Sequence, residues 1–136
     1  MQNFRFQFAR QVGVADVNYG GHVSNAAVLN FFQDARIAYL TKLGAFSELD
    51  LGGCGIIMPE AHVYYHREMF LGDLLTVALR AEPVKRTRIR MFYQVTRQEQ
   101  LTVEGETLLG CFDYNKRKPC PIPADFLAAL VNFEQL

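Results

Sequence analysis

The sequence predicts an α+β fold in which an antiparallel sheet of about five strands wraps one long apolar helix. Three observations point there. Phe4, Phe6 and Phe8 alternate with Arg5, Gln7 and Ala9, the period of two that marks a half-buried strand. From about Ser24 to Leu43 the period changes to that of a helix. Four further apolar runs then follow, joined by turns short enough for hairpins.

The first strand runs from Phe4 to Val12 or Val14, and Gly20-Gly21 punctuates the loop after it. On the helix Val28, Phe32, Ala35, Tyr39 and Leu43 form one stripe flanked by Leu29, Phe31, Ile37 and Leu40. Asn30, Gln33, Asp34 and Thr41 gather on a narrow polar side, so other structure is expected around most of the helix. Ser24 or Asn25 serves as N-cap, and Gly44 follows the last turn. Asp34 and Arg36 are expected at solvent or an interface. After the loop holding Gly52, Gly53 and Gly55, strands are expected over roughly 57–67, 74–81, 87–97 and 101–114. A short helix started by proline closes the chain from Ala124 to about Phe133. No internal boundary or repeat appears, so residues 1–136 read as one domain, and its open sheet edges favour pairing with a second copy.

Composition narrows the function classes. Half of the 136 residues are hydrophobic, enough for a core. Fourteen basic residues balance fourteen acidic ones, which removes the broad positive field that nucleic acid or an anionic membrane surface attracts. Cys54, Cys111 and Cys120 lack C-x-x-C spacing, so reduced thiols in a cytoplasm are expected rather than a disulfide framework or a metal site. The start, Met1-Gln2-Asn3-Phe4-Arg5, has no leader pattern, and no apolar run is long enough to span a bilayer.

The informative stretch runs from Ala15 to Arg36: Ala15-Asp16-Val17-Asn18-Tyr19-Gly20-Gly21-His22-Val23-Ser24-Asn25-Ala26 and onward into the helix. It resembles the signature D-x-D-x-x-G-H-V-N-N-A-x-Y-L-x-x-F-E-E-A-R of the 4-hydroxybenzoyl-CoA thioesterase-like branch of the hotdog superfamily. The match covers Asp16, Gly21, His22, Val23, Asn25, Ala26, Leu29, Phe32, Ala35 and Arg36 without a gap. Tyr65 followed by Gly72-Asp73 is similar to the family's Y-x-x-P-x-x-x-G-D, with Glu68 where proline is usual. The resemblance implies the hotdog fold and hydrolysis of acyl-CoA, or acyl carrier protein, thioesters by a homodimer or homotetramer. It implies no cofactor beyond the coenzyme A that the substrate carries.

A glycine loop leading into a helix N-terminus presents free N–H groups and the positive end of the helix dipole, where a thioester carbonyl gains negative charge. Gly20, Gly21 and His22 are the residues placed for that. In relatives the second aspartate of D-x-D is the catalytic carboxylate; here that position is Asn18, and an amide accepts no proton at neutral pH. Asp16, assisted by Asn18, is the expected substitute, with Asp34 and Glu60 behind it. Asp16 and Asn18 equally suit turn bonds to nearby N–H groups. His22 and Asn25 are expected at the site, Asn25 as helix cap as well, and Tyr19 is expected to touch substrate. Lys85, Arg86, Thr87 and Arg88 stand where relatives bind the nucleotide phosphates, and Lys116, Arg117 and Lys118 form a second basic cluster. His62, Tyr64 and His66 share a strand face, suited to lining a pocket or to facing water. Two other readings remain open at this point: a binding module that has lost catalysis, favoured by Asn18, and a hydratase, against which stands the absence of a D-x-N-P-x-H stretch.

Overall fold

A computed structural model describes residues 4–136, so Met1, Gln2 and Asn3, on which the expected lack of a leader partly rests, lie outside the described residues. The elements are β1 (Phe6–Gln11), a 3₁₀ turn (Val14–Asp16), α1 (Asn25–Leu43), β2 (Gly55–Tyr65), β3 (Leu74–Lys85), β4 (Arg88–Arg97), β5 (Gln100–Asp113), β6 (Lys118–Pro119) and α2 (Ala124–Glu134). Every pairing is antiparallel, in the order β1-β3-β4-β5-β2, with β6 on β5. The sheet thus has six strands rather than about five, accompanied by two helices. The sixth strand is a two-residue pairing, too short for any periodicity to reveal.

Local chemistry fixes the boundaries. β2 stops at Tyr65 rather than Arg67 because His66 and Arg67 both direct their N–H groups at the Thr102 carbonyl, which ends the regular ladder. Its register shifts between Ile57 and Glu60, around Pro59, a residue that has no N–H for a ladder and belongs at an edge or a bulge. Ser24 caps α1, its Oγ accepting from Ala27 N at 3.3 Å. β4 and β5 meet through Gln98 and Glu99, both at positive φ, a reversal matched to the twist of a tight hairpin.

Val28, Phe31, Phe32, Ala35, Tyr39 and Leu40 of α1 pack against Val77 and Leu79 of β3, Met91, Tyr93 and Val95 of β4, and Val103 and Leu109 of β5 in one core cluster. Phe32 stacks on Tyr93 with centroids 4.2 Å apart. Gly105 permits this approach: a Cβ there would lie 2.5 Å from the His62 carbonyl and 2.7 Å from Phe32 Cε2. Arg36 is buried within the chain, where solvent or an interface was expected: it donates to Glu48 and, at 3.1 Å, to the Tyr93 hydroxyl, which pairs with Thr107 at 2.7 Å. Asp34 is half-buried and takes a hydrogen bond from Arg10.

α2 closes the core by Phe126 and Leu130. Its Glu134 accepts from the Tyr39 hydroxyl and from Ala81 N, a strand N–H beyond the last β1–β3 pair. By contrast β2 forms one edge of the sheet and exposes Ile57, Met58, Tyr64 and Tyr65. All three cysteines are free thiols; burial pushes the Cys111 thiol up to about 11 and the Cys54 thiol higher still.

Candidate functional site

The loop between the 3₁₀ turn and α1 is a tight excursion closed at its base. Val17 and Val23 pair as a bridge, and Asn18 N donates to the His22 carbonyl at 3.0 Å. Inside it, Gly21 N donates to the Asn18 carbonyl and Gly20 N to Asn18 Oδ1, at 3.0 and 3.1 Å. Gly21 turns at φ +76°, in the region where glycine carries no steric penalty. A second bridge sets His22 against Phe70: Val23 N donates to the Met69 carbonyl and Leu71 N to the Gly21 carbonyl. Residues more than forty positions apart in the chain thereby become neighbours.

Beside this junction lies a cavity of about 460 Å³. Val28 and Met69 are its buried apolar floor; Asn18, His22, Asn25, Tyr65 and Glu68 supply polar walls, with the exposed His66 and Arg67 at the margin. The Tyr65 hydroxyl donates to the Asn25 carbonyl at 3.2 Å, pinning the end of β2 to the first turn of α1. His22 N and the first-turn N–H groups of Asn25 and Ala26 have no acceptor among the described residues. They are therefore open to a developing negative charge.

That corrects the expected donor set. Gly20 N and Gly21 N are engaged within the turn, by Asn18 Oδ1 and the Asn18 carbonyl, which leaves His22 N as the open donor of the three expected. Asp16 is likewise placed elsewhere than expected: it is buried outside the cavity lining, and both of its oxygens take hydrogen bonds from Arg10 Nη2 at 3.0 Å. Gly13 N adds a third at 2.8 Å, so the carboxylate performs the turn-bonding role. Asn18 does line the cavity, and with Oδ1 held by Gly20 N its amide NH₂ remains a donor.

Tyr19 is fully exposed at the loop tip and outside this cavity. Glu60 and His62 lie mid-β2, 3.4 Å apart, and Tyr64 is also exposed; of His62, Tyr64 and His66 only His66 reaches the cavity, with Nε2 2.7 Å from Glu104. Lys85, Arg86, Thr87 and Arg88 sit at the far end of the sheet. Arg97, at the other end of β4, donates to the Glu68 carbonyl beside the cavity, and a ten-residue strand is about 30 Å long. Lys116, Arg117 and Lys118 flank the same distant turn, since Cys111 N donates to the Thr87 carbonyl and Ile122 N to that of Arg86.

The Gly72-Asp73 pair anchors the segment behind the cavity. Burial opposes ionisation of Asp73, but the Phe70 N–H and the Arg97 guanidinium outweigh it and hold the carboxyl below its usual range. Glu68, noted in the sequence only as a departure from proline, is the sole carboxylate among the lining residues, with Oε1 3.1 Å from His22 Nδ1.

A model of the thioesterase-like superfamily matches residues 12–130. A 1,4-dihydroxy-2-naphthoyl-CoA hydrolase of Synechococcus elongatus is 27% identical over 121 residues, covering 87% of this chain and 89% of that protein. A Thermus thermophilus thioesterase solved with coenzyme A and zinc superposes with a TM-score of 0.87 at 26% identity, covering 100% of this chain and 98% of the other. A 1,4-dihydroxy-2-naphthoyl-CoA thioesterase from Synechocystis shares the fold, with a TM-score of 0.85 at 23% identity over 93% of this chain and 96% of the other.

Proposed function

The chain belongs to the thioesterase-like superfamily, and from that premise we propose that it hydrolyses acyl thioesters of coenzyme A to a free acid and a thiol. Its antiparallel sheet of six strands with two helices is the hotdog thioesterase arrangement. The observation that carries the reading is a cavity of ligand size lined by His22 and Asn25 at the start of α1, residues whose N–H groups have no acceptor among the described residues. A thioester carbonyl set there gains stabilisation as it becomes an oxyanion, an effect on the order of 3 kcal/mol for each donor lost. His22 N and Asn25 N supply those donors, Asn18 adds its amide, and Gly21 and Asp16 hold the loop in shape. Tyr19, at the exposed tip, meets the entering substrate. The coenzyme A carried by the substrate is the only cofactor the reaction needs.

The site is proposed to be completed by a second copy. β2 is an eleven-residue edge strand with exposed apolar side chains, and an uncovered edge of that length invites pairing. Antiparallel β2–β2 pairing lays each Gly55 end beside the other Tyr65 end, which brings one chain's Lys85–Arg88 turn toward the other's cavity. Lys85, Arg86, Thr87 and Arg88 then meet the nucleotide phosphates, with α1 as the central helix enclosed by the sheets. A homodimer is the smallest such unit, and two dimers make the tetramer. Residues 1–136 act as one domain, and three free thiols suit a cytoplasmic setting. Among the described residues no helix is long and apolar enough to cross a membrane.

The test is thiol release from a panel of aliphatic and aromatic acyl-CoAs and from an acyl carrier protein conjugate. The expected result is turnover above background for at least one acyl-CoA, reduced in Asn18→Ala. Thermal stabilisation by a non-hydrolysable acyl-CoA with no turnover across the panel overturns it in favour of a binding protein.

A further inference from the structure

We propose that Glu68 and His22 form the proton-handling pair of this site, standing in for the aspartate that Asn18 replaces; the inference rests on the thioesterase reading above. Each other charged or titratable neighbour of the cavity is already engaged. Asp16 is saturated by Arg10 and Gly13 N outside the lining. His66 faces Glu104 at 2.7 Å, and Arg67 donates to the Leu101 carbonyl at 2.8 Å. Glu68 is the one carboxylate-bearing residue of the cavity lining, and no hydrogen bond to its side chain competes among the described residues.

The ring geometry assigns the roles. His22 Nδ1 is closed off from solvent and has no aligned hydrogen-bond partner, yet Glu68 Oε1 stands only 3.1 Å away. The distance decides here, because the largely exposed Glu68 side chain needs only a small rotation to align. Its backbone is fixed, the Glu68 carbonyl accepting from Arg97 at 2.9 Å. Phe70 packs on the imidazole at 5.1 Å, and Gly20 leaves it room, since a Cβ there would lie 2.7 Å from His22 Cδ2. With its Nδ1 proton held toward Glu68, the ring presents Nε2, which keeps solvent access, as a base.

In the reaction His22 Nε2 takes a proton from water while the water oxygen bonds the thioester carbonyl carbon. The carbonyl becomes an oxyanion against the α1 N-terminus. Its collapse breaks the carbon–sulfur bond, and the same proton passes from Nε2 to the departing sulfur, giving thiol and carboxylic acid, which then ionises to solvent. Glu68 is a positioning residue: it holds the His22 ring in place and takes no proton from water or substrate itself.

The test is kinetic, on the acyl-CoA that the wild type turns over best, with Glu68→Gln, His22→Asn and the double variant. Each single substitution is expected to lower kcat by roughly 10²-fold or more with KM nearly unchanged, and the double variant to lose no more than the worse single. Glu68→Asp is expected to recover part of the loss, and all four to melt near the wild type. Glu68→Gln with wild-type kcat, or losses that multiply in the double variant, overturns the pair while leaving thioester hydrolysis standing. A wild type that hydrolyses nothing overturns the underlying reading, and the pair with it.

Discussion

Arg10 is the residue on which the approach to the cavity turns. Its guanidinium lies between the Asp16 and Asp34 carboxylates and 4.3 Å above the Phe31 ring, joining β1, the 3₁₀ turn and α1. Asp16→Ala removes two of those bonds and leaves Gly13 N without an acceptor, at a cost of about 2 kcal/mol. Urea unfolding is expected to show that loss as a lower midpoint with unchanged slope. A variant that keeps the parent midpoint and loses turnover assigns Asp16 to the chemistry instead. Individual residues were unevenly legible. The match around Asp16, Gly21 and His22 located the loop, and the missing carboxylate at Asn18 stood out because an amide accepts no proton. Which carboxylate faces the cavity was not legible, because Glu68 reaches His22 only through the bridge between His22 and Phe70, a pairing that no local pattern encodes.

At the scale of elements, the close seat of α1 on the sheet depends on one missing side chain. Gly105 pairs with Tyr93 across β4–β5, directly beneath the Phe32 ring, and one of its two close neighbours is a backbone carbonyl, which has little freedom to move aside. Gly105→Ala is therefore expected to destabilise by about 1 to 3 kcal/mol, read as a fall in melting temperature with secondary structure retained. Phe32→Leu added to it is expected to restore part of the loss; no restoration places the strain in the strand. Helix and strand types followed the periodicities closely, because burial on one face imposes period 2 or 3.6 directly. Arg36 escaped that logic. A charged residue reads as exposed until Glu48, the Tyr93 hydroxyl and Thr107 are brought around it by packing.

For the molecule as a whole, two basic turns and the cavity lie at opposite ends of the sheet. The basic turns at Lys85–Arg88 and Lys116–Lys118 adjoin at one end and the cavity lies at the other, so one chain does not unite them. Arg86→Glu combined with Lys116→Glu is expected to raise KM for an acyl-CoA several-fold, more at low salt than at high. The same acyl group on N-acetylcysteamine, which lacks phosphates, is expected to show no such change; an equal rise for both thioesters removes these residues from phosphate binding.

The buried sulfurs have a practical consequence for all these measurements. At neutral pH Cys54 and Cys111 are fully protonated and shielded, hence poor partners for a disulfide dye. A chromogenic reagent that titrates liberated coenzyme A can thus be left in the cuvette throughout turnover, with Cys120 the one protein sulfhydryl whose background needs subtracting.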